Sequence, residues 1–306
     1  MISFKSVLIS LRPLQWLKNL AVFAAILFSG KFFQESFLLP VFASFWIFNI
    51  LSSSMYLVND VFDIERDKAH LYKRLRPIAQ GKIDKNLALV ISLFLTIAGL
   101  YTSFQLSTYL FTIALVFIIL QLTYNFLLKF IILLDITTIA LGFMLRVFAG
   151  SFIIGVPLSS WLILTTIMLS LLLASGKRRA ELTILTHKLA AKHRETLYYY
   201  PTKFLDGVTF MMGTATLITY SIFTFNELET HSKEFIISFL PQTLASPKWL
   251  MATIPLVVYG ILRYLYLIFE GKGESPEKVL VTDFPLLATI ILWLSSVFII
   301  IYLVPS

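Results

Sequence analysis

Residues 38–67 read LLPVFASFWIFNILSSSMYLV followed by NDVFDIERD. The first stretch, 38–58, carries no charge. At about 1.5 Å of rise per residue it is long enough to cross a hydrocarbon core of about 30 Å as one helix. The second stretch places Asp60, Asp63, Glu65 and Asp67 where the apolar run stops. A charge-free span that ends in a carboxylate cluster is not the pattern of a soluble core helix. It predicts a membrane helix that delivers acidic groups to one membrane face.

The rest of the chain repeats the apolar pattern. Candidate spans fall at residues 20–37, 38–58, 87–106, 109–128, 133–154, 161–175, 207–225, 250–269 and 284–303. The expected fold is therefore all-α: a polytopic membrane bundle of about nine helices, with one membrane domain covering residues 1–306. Of the 306 residues, 58% are hydrophobic and 14% charged, with a mean hydropathy of +0.84. Soluble domains carry about a quarter charged residues, so a soluble enzyme is excluded. Ten-residue alternating segments are missing, which argues against an outer-membrane barrel. There is no cysteine, so no disulfide, thiol nucleophile or cysteine metal site is available. Residues 1–14 are amphipathic and basic and show no cleavage pattern of a signal peptide.

Charge placement gives orientation. With the N-terminus in the cytoplasm, twenty of the 25 Lys and Arg fall on inside segments and three outside, while Arg146 and Arg263 lie within spans. This bias predicts a cytoplasmic-membrane protein with a basic cytoplasmic face. It accounts for the net charge of +8 through anionic lipid and anionic substrates, without nucleic acid. Two inside connections are long, 59–85 and 176–206, and long connections in a compact bundle are usually functional.

On a continuous helix Asn59, Asp60, Asp63 and Asp67 fall within about 100° of one another, whereas Glu65 points away. Like charges gathered at a low-dielectric edge call for a cation. Hard Asp and Asn oxygens suit Mg²⁺, which also takes water and substrate phosphate. Asp60, Asp63 and Asp67, with Asn59, are thus the candidate metal set. Lys73, Arg74 and Arg76 follow directly and can neutralise phosphate. In the second long connection, Lys177 and Glu181 share a helix face with Arg178 beside them. Two cations with one carboxylate suit an anionic sugar phosphate. His187 and His193 are six apart, a poor spacing for shared metal ligation.

Within the spans, Asp135 and Arg146 lie on one helical face but about 16 Å apart in rise. Each therefore needs another partner or a shared polar cavity, because a charge in the bilayer must face the bundle interior. Arg263 and Glu270 share a face near the inner end of the eighth span, and residues 271–283 form a third acidic inner connection. Trp16 reads as an interfacial anchor. Lys18 and Asn19 can face a cavity.

Taken together, these residues resemble the UbiA superfamily of intramembrane prenyltransferases. Residues 59–67 look like its N-D-x-x-D-x-x-x-D motif, and 73–77 continue it. The likeness covers nearly the whole chain. Most members transfer a prenyl group from a prenyl diphosphate to an aromatic acceptor and carry a second aspartate-rich motif after the sixth span. Here that place holds Gly176-Lys177-Arg178-Arg179-Ala180-Glu181. The sequence is instead similar to the branch of decaprenyl-phosphate phosphoribosyltransferases. The matching pieces are 11–19, Tyr124 with Lys129 and Asp135, Arg146 with Gly150, Trp161, 177–181, Arg263-Tyr264, Pro276-Glu277 and Asp283.

That resemblance implies transfer of a 5-phosphoribosyl group from 5-phosphoribosyl 1-diphosphate to a polyprenyl phosphate, with a place in cell-envelope biosynthesis. It implies catalytic roles for Asp60, Asp63 and Asp67 through Mg²⁺. Lys177, Arg178 and Glu181 would hold the donor. Lys18, Asn59, Lys73, Arg74, Tyr124, Lys129, Asp135 and Arg146 are further substrate-binding candidates, not divided between the two substrates. Homo-oligomerisation is left open. Three other readings remain: a UbiA-type enzyme that prenylates an aromatic or other small acceptor, which the missing second motif disfavours; a transporter or lipid carrier; and a membrane scaffold, which would not explain residues 59–67. Transporters place polar sites near the midplane between repeats, whereas these charges gather at one face.

Overall fold

The computed structural model describes residues 4–69, 73–184, 199–226, 248–272 and 276–303. His187, His193 and residues 273–275 of the third inner connection lie outside the described residues.

The described chain is helical. Elements α1 (Phe4–Ser10), α2 (Pro13–Phe28), α3 (Glu35–Phe62) and α4 (Ile64–Ala69) lead into α5 (Lys85–Leu106) and α6 (Thr108–Phe126). Then come α7 (Leu134–Ile154), α8 (Ser160–Ile184), α9 (Thr202–Asn226), α10 (Trp249–Phe269), α11 (Pro276–Thr282) and α12 (Phe284–Leu303). Among the described residues, 8 of these helices are long and apolar enough to cross a membrane: α3, α5 to α10 and α12. The protein is a multi-pass membrane protein.

The first expected span differs in place and form. It begins at Pro13, ends at Phe28, and is a 3-10 helix over Pro13–Phe23. Eleven residues at about 2.0 Å rise and five at about 1.5 Å reach roughly 30 Å, so a 16-residue segment matches the membrane thickness. Gly30, at φ 72, then turns the chain towards α3. The apolar signal alone placed this span later because Lys18 and Asn19 interrupt it. Asn19 is fully buried all the same, donating to Asn49 at 2.6 Å and accepting from Arg146 at 2.5 Å. The sixth expected span also runs further, so residues 176–184 continue α8 rather than opening a loop.

Several ends follow local chemistry. Asp84 accepts from the backbone N–H of Asn86 and Leu87 and caps α5. Ser107 caps α6, and Asp283 caps α12.

Helix α7 packs against α2, α3, α6 and α8. One core joins Val22, Ile26, Phe48, Leu51, Phe117 and Ala149, and a second joins Leu172, Ala180, Tyr264 and Ile268. The contact of α2 with α7 is tight at Gly150, where an added Cβ would lie 1.8 Å from the Val22 carbonyl oxygen. Backbone cannot yield as a side-chain tip does. Gly150→Ala is therefore expected to displace α2 and destabilise the fold by about 1–3 kcal/mol. Thermal unfolding in detergent measures this, and an unchanged midpoint would contradict the packing.

Candidate active site

One end of the bundle holds a cavity of about 1190 Å³. Its wall includes Lys18, Asn59, Asp63, Asp67, Lys73, Tyr124, Lys129, Arg146, Lys177, Arg178 and Glu181. These residues come from six helices and three connections, so the fold gathers what the sequence scatters. Among the described residues, eleven Lys and Arg line the cavity against five Asp and Glu, a balance that favours a polyanionic ligand.

The acidic side begins where α3 ends. Asp60 is 1% exposed on the last turn of α3 and lies behind the cavity wall. Arg12 donates to its Oδ1, and Arg76 Nη1 approaches the same oxygen at 3.0 Å. The same Nη1 lies 2.5 Å from Asp67 Oδ2, so one guanidinium nitrogen occupies the place between two carboxylates. Helix α3 stops at Asp63, and the Asp67 N–H donates back to the Asp63 carbonyl at 2.7 Å. Both Asp63 carboxylate oxygens accept from Lys129 Nζ at 2.9 Å. Burial pushes the Asp67 carboxyl up, Arg76 opposes this and Asp60 adds to it, with a net upward result.

The expected convergence of these acids on one metal position is not present: among the described residues no three acidic groups gather as a metal-binding cluster. The break at Asp63 and the intervening cations separate them. The donors still fit a hard divalent ion in kind. Asp60 Oδ2 is a buried oxygen with no hydrogen-bond partner, and Arg76 marks the ground between Asp60 and Asp67 as a cation's place.

Arg74 differs from its expected role. It is exposed and lies off the cavity wall, whereas Lys73 and Arg76 line it. Lys73–Leu75 is a 3-10 turn with three residues per turn. Residues three apart align in such a turn, so Lys73 and Arg76 share the inner side and Arg74 points out.

Another part of the wall is built on α8. Arg178 is 1% exposed; its Nε donates to Asp135 Oδ2 at 2.9 Å and its Nη1 to Glu181 Oε2 at 2.7 Å. Asp135 is fully buried behind Arg178 and does not reach the cavity. Its other oxygen accepts from the Tyr200 hydroxyl at 2.6 Å, and that hydroxyl accepts from the Leu133 N–H at 2.7 Å. Burial and then Asp135 push the Tyr200 phenol up, which keeps it a donor. Asp135 thus aims Arg178 rather than touching a ligand. Among the described residues, Leu133 and Arg12 are the non-glycine residues with positive φ, at 70° and 53°. Both flank the site, where such strain tends to be held.

Deeper in the bundle Arg146 is 4% exposed. It donates to Asn19, to Ser52 and to the Gly142 carbonyl, and lies 4.8 Å from the Phe117 ring centre. Asp135 and Arg146 therefore find separate partners, as their spacing requires.

Sequence reading assigned no site role to Arg12, Arg66 or Glu277. Arg12 and Arg66 looked like orientation charges. Glu277 lay in an acidic connection, and its signal was that Pro276-Glu277 is one of the pieces matching the phosphoribosyltransferase branch. Lys18 Nζ reaches Glu277 Oε1 at 2.5 Å, which ties α2 to α11.

A sequence profile of the UbiA prenyltransferase family matches residues 19–297. The decaprenyl-phosphate phosphoribosyltransferase of Corynebacterium glutamicum is 34% identical over 300 residues, covering 97% of this chain and 86% of that protein. The enzyme of the same name from Mycolicibacterium smegmatis is 33% identical over 292 residues, covering 94% and 90%. A UbiA homologue from Archaeoglobus fulgidus, solved bound to GPP and Mg²⁺, superposes with a TM-score of 0.68 at 18% identity, covering 97% of this chain and 99% of that one.

Proposed function

The chain belongs to the UbiA prenyltransferase family, and on that premise we propose that it transfers a 5-phosphoribosyl group from 5-phosphoribosyl 1-diphosphate to a polyprenyl phosphate, releasing diphosphate. The observation that carries this reading is the make-up of the cavity lining. It presents Asp63 and Asp67, with Asp60 behind them, and on α8 it presents Lys177, Arg178 and Glu181. A cation-rich wall with one carboxylate suits a sugar phosphate. The single domain 1–306 has its site and N-terminus on the cytoplasmic side of the inner membrane, which the charge bias supports.

In the reaction an acceptor phosphate oxygen bonds to the anomeric carbon as the bond from that carbon to the diphosphate oxygen breaks. The electron pair leaves with the diphosphate. Asn59, Asp60, Asp63 and Asp67 would hold Mg²⁺, which supplies charge neutralisation to the diphosphate. Lys73, Arg76 and Lys129 surround the same region and stabilise its developing charge. Arg178, fixed by Asp135 and Glu181, holds the donor's phosphate. The acceptor phosphate is already an anion, so no general base is required.

Diphosphate release by the purified protein tests this. Release that requires both 5-phosphoribosyl 1-diphosphate and a polyprenyl phosphate is expected. Release from a prenyl diphosphate with an aromatic acid instead would move the protein to prenyl transfer. Glu181→Ala is expected to raise the donor KM by about 10–100-fold, the loss of a hydrogen bond to a charged group, with the lipid KM unchanged. An unchanged donor KM removes Glu181 from the site.

A further inference from the structure

The connection between α10 and α12 carries a buried carboxylate that the mechanism above does not use. Glu277, on the short helix α11, is 3% exposed and lines the cavity. Its Oε1 is taken by Lys18 at 2.5 Å. Its Oε2 is buried and has no hydrogen-bond partner among the described residues. A buried acceptor is costly to leave unmade, and one that borders a ligand cavity is satisfied most simply by the ligand.

We propose that Glu277 is the residue that reads the sugar hydroxyls: its second carboxylate oxygen accepts from the ribose ring of the donor and sets selectivity for a pentosyl group bearing them. This rests on the phosphoribosyl reading of the site. Burial would push the Glu277 carboxyl up, but Lys18 and then Lys177 outweigh it and hold it down at about 2. It is therefore ionised at working pH and only accepts. An acceptor-only anion repels phosphate oxygens and takes O–H donors or a cation. A metal is disfavoured, because Lys18 and Lys177 already neutralise this carboxylate and Glu181 is engaged by Arg178. Lys18 and Lys177 lie close enough to act on this carboxylate. A phosphate on the lysines beside a hydroxyl on Glu277 is the pattern of a sugar phosphate.

A clasp joining α11 to α2 through Oε1 alone would not read hydroxyls, and this difference is measurable. The full-length protein in detergent is assayed with 5-phosphoribosyl 1-diphosphate and with its 2-deoxy and 3-deoxy analogues. The parent is expected to prefer the natural donor over at least one analogue by about 10²-fold or more in kcat/KM. In Glu277→Gln the second oxygen becomes a donor, and that preference should fall to within about threefold by loss on the natural donor. Glu277→Asp, which keeps the charge but withdraws it by one methylene, should fall between and serves if the Gln variant does not fold. A preference unchanged in the folded variants overturns the proposal.

Binding of ribose 5-phosphate against 2-deoxyribose 5-phosphate and inorganic phosphate, by calorimetry, separates this failure from that of the reaction. Preference for ribose 5-phosphate that is lost in Glu277→Gln, with no ribosyl transfer, keeps the hydroxyl site and removes the reaction. Transfer without any hydroxyl preference removes the hydroxyl site and keeps the reaction.

Discussion

Asp63→Asn is expected to lower phosphoribosyl transfer by about 10²–10³-fold at saturating substrates, the range for removing one preorganised electrostatic partner of a developing charge. Asp63 faces the cavity at the end of α3 and is gripped through both oxygens by Lys129. Asparagine keeps the shape and one acceptor but removes the charge that a divalent ion needs. The variant should also lose its response to added Mg²⁺, whereas the thermal midpoint should fall only modestly, because Asp63 is partly solvated. Single-turnover rates measured alongside unfolding separate the two effects. Activity within threefold of the parent in folded Asp63→Asn would remove Asp63 from the metal set.

The second large effect is on stability. Arg178→Met is expected to cost about 3–5 kcal/mol, because removing one member of a buried ion cluster leaves the others uncompensated. Asp135 is fully buried, and its carboxylate faces Arg178 Nε at 2.9 Å. Adding Asp135→Asn to Arg178→Met should restore much of the stability, since an amide can still accept from Tyr200. It should not restore transfer, since the cation on the cavity wall is gone. Thermal unfolding of the two single variants and the double variant closes the cycle. If Arg178→Met alone were as stable as the parent, the pairing with Asp135 would not be a structural element of the site.

The membrane fold was legible because runs such as residues 87–106 have no rival reading in water. What escaped was the position of α2, since a 3-10 rise lets sixteen residues do the work of twenty, and its polar Lys18 and Asn19 serve the interior. The acidic stretch was legible because four carboxylates at a span's end are hard to explain otherwise. Its cations were less so. Arg74 and Arg76 are equivalent to a reader of composition, and a single 3-10 turn separates them. Arg12 is 48 residues from Asp60 in sequence, and no local pattern announces such a partner. Asp135 and Arg146 were readable as charges needing partners, but Tyr200 and Asn19 could be named only from the packing. Glu277 shows the same limit, because its meaning lies in an oxygen left without a partner after Lys18 has taken the other.

The most direct measurement follows label from 5-phosphoribosyl 1-diphosphate, carried in the ribose, into the lipid phase with purified protein and polyprenyl phosphate. Label that partitions with the lipid, together with the 5-phosphate, only when both Mg²⁺ and the polyprenyl phosphate are present is the predicted result. Folded protein that leaves all label in water under those conditions would contradict the account.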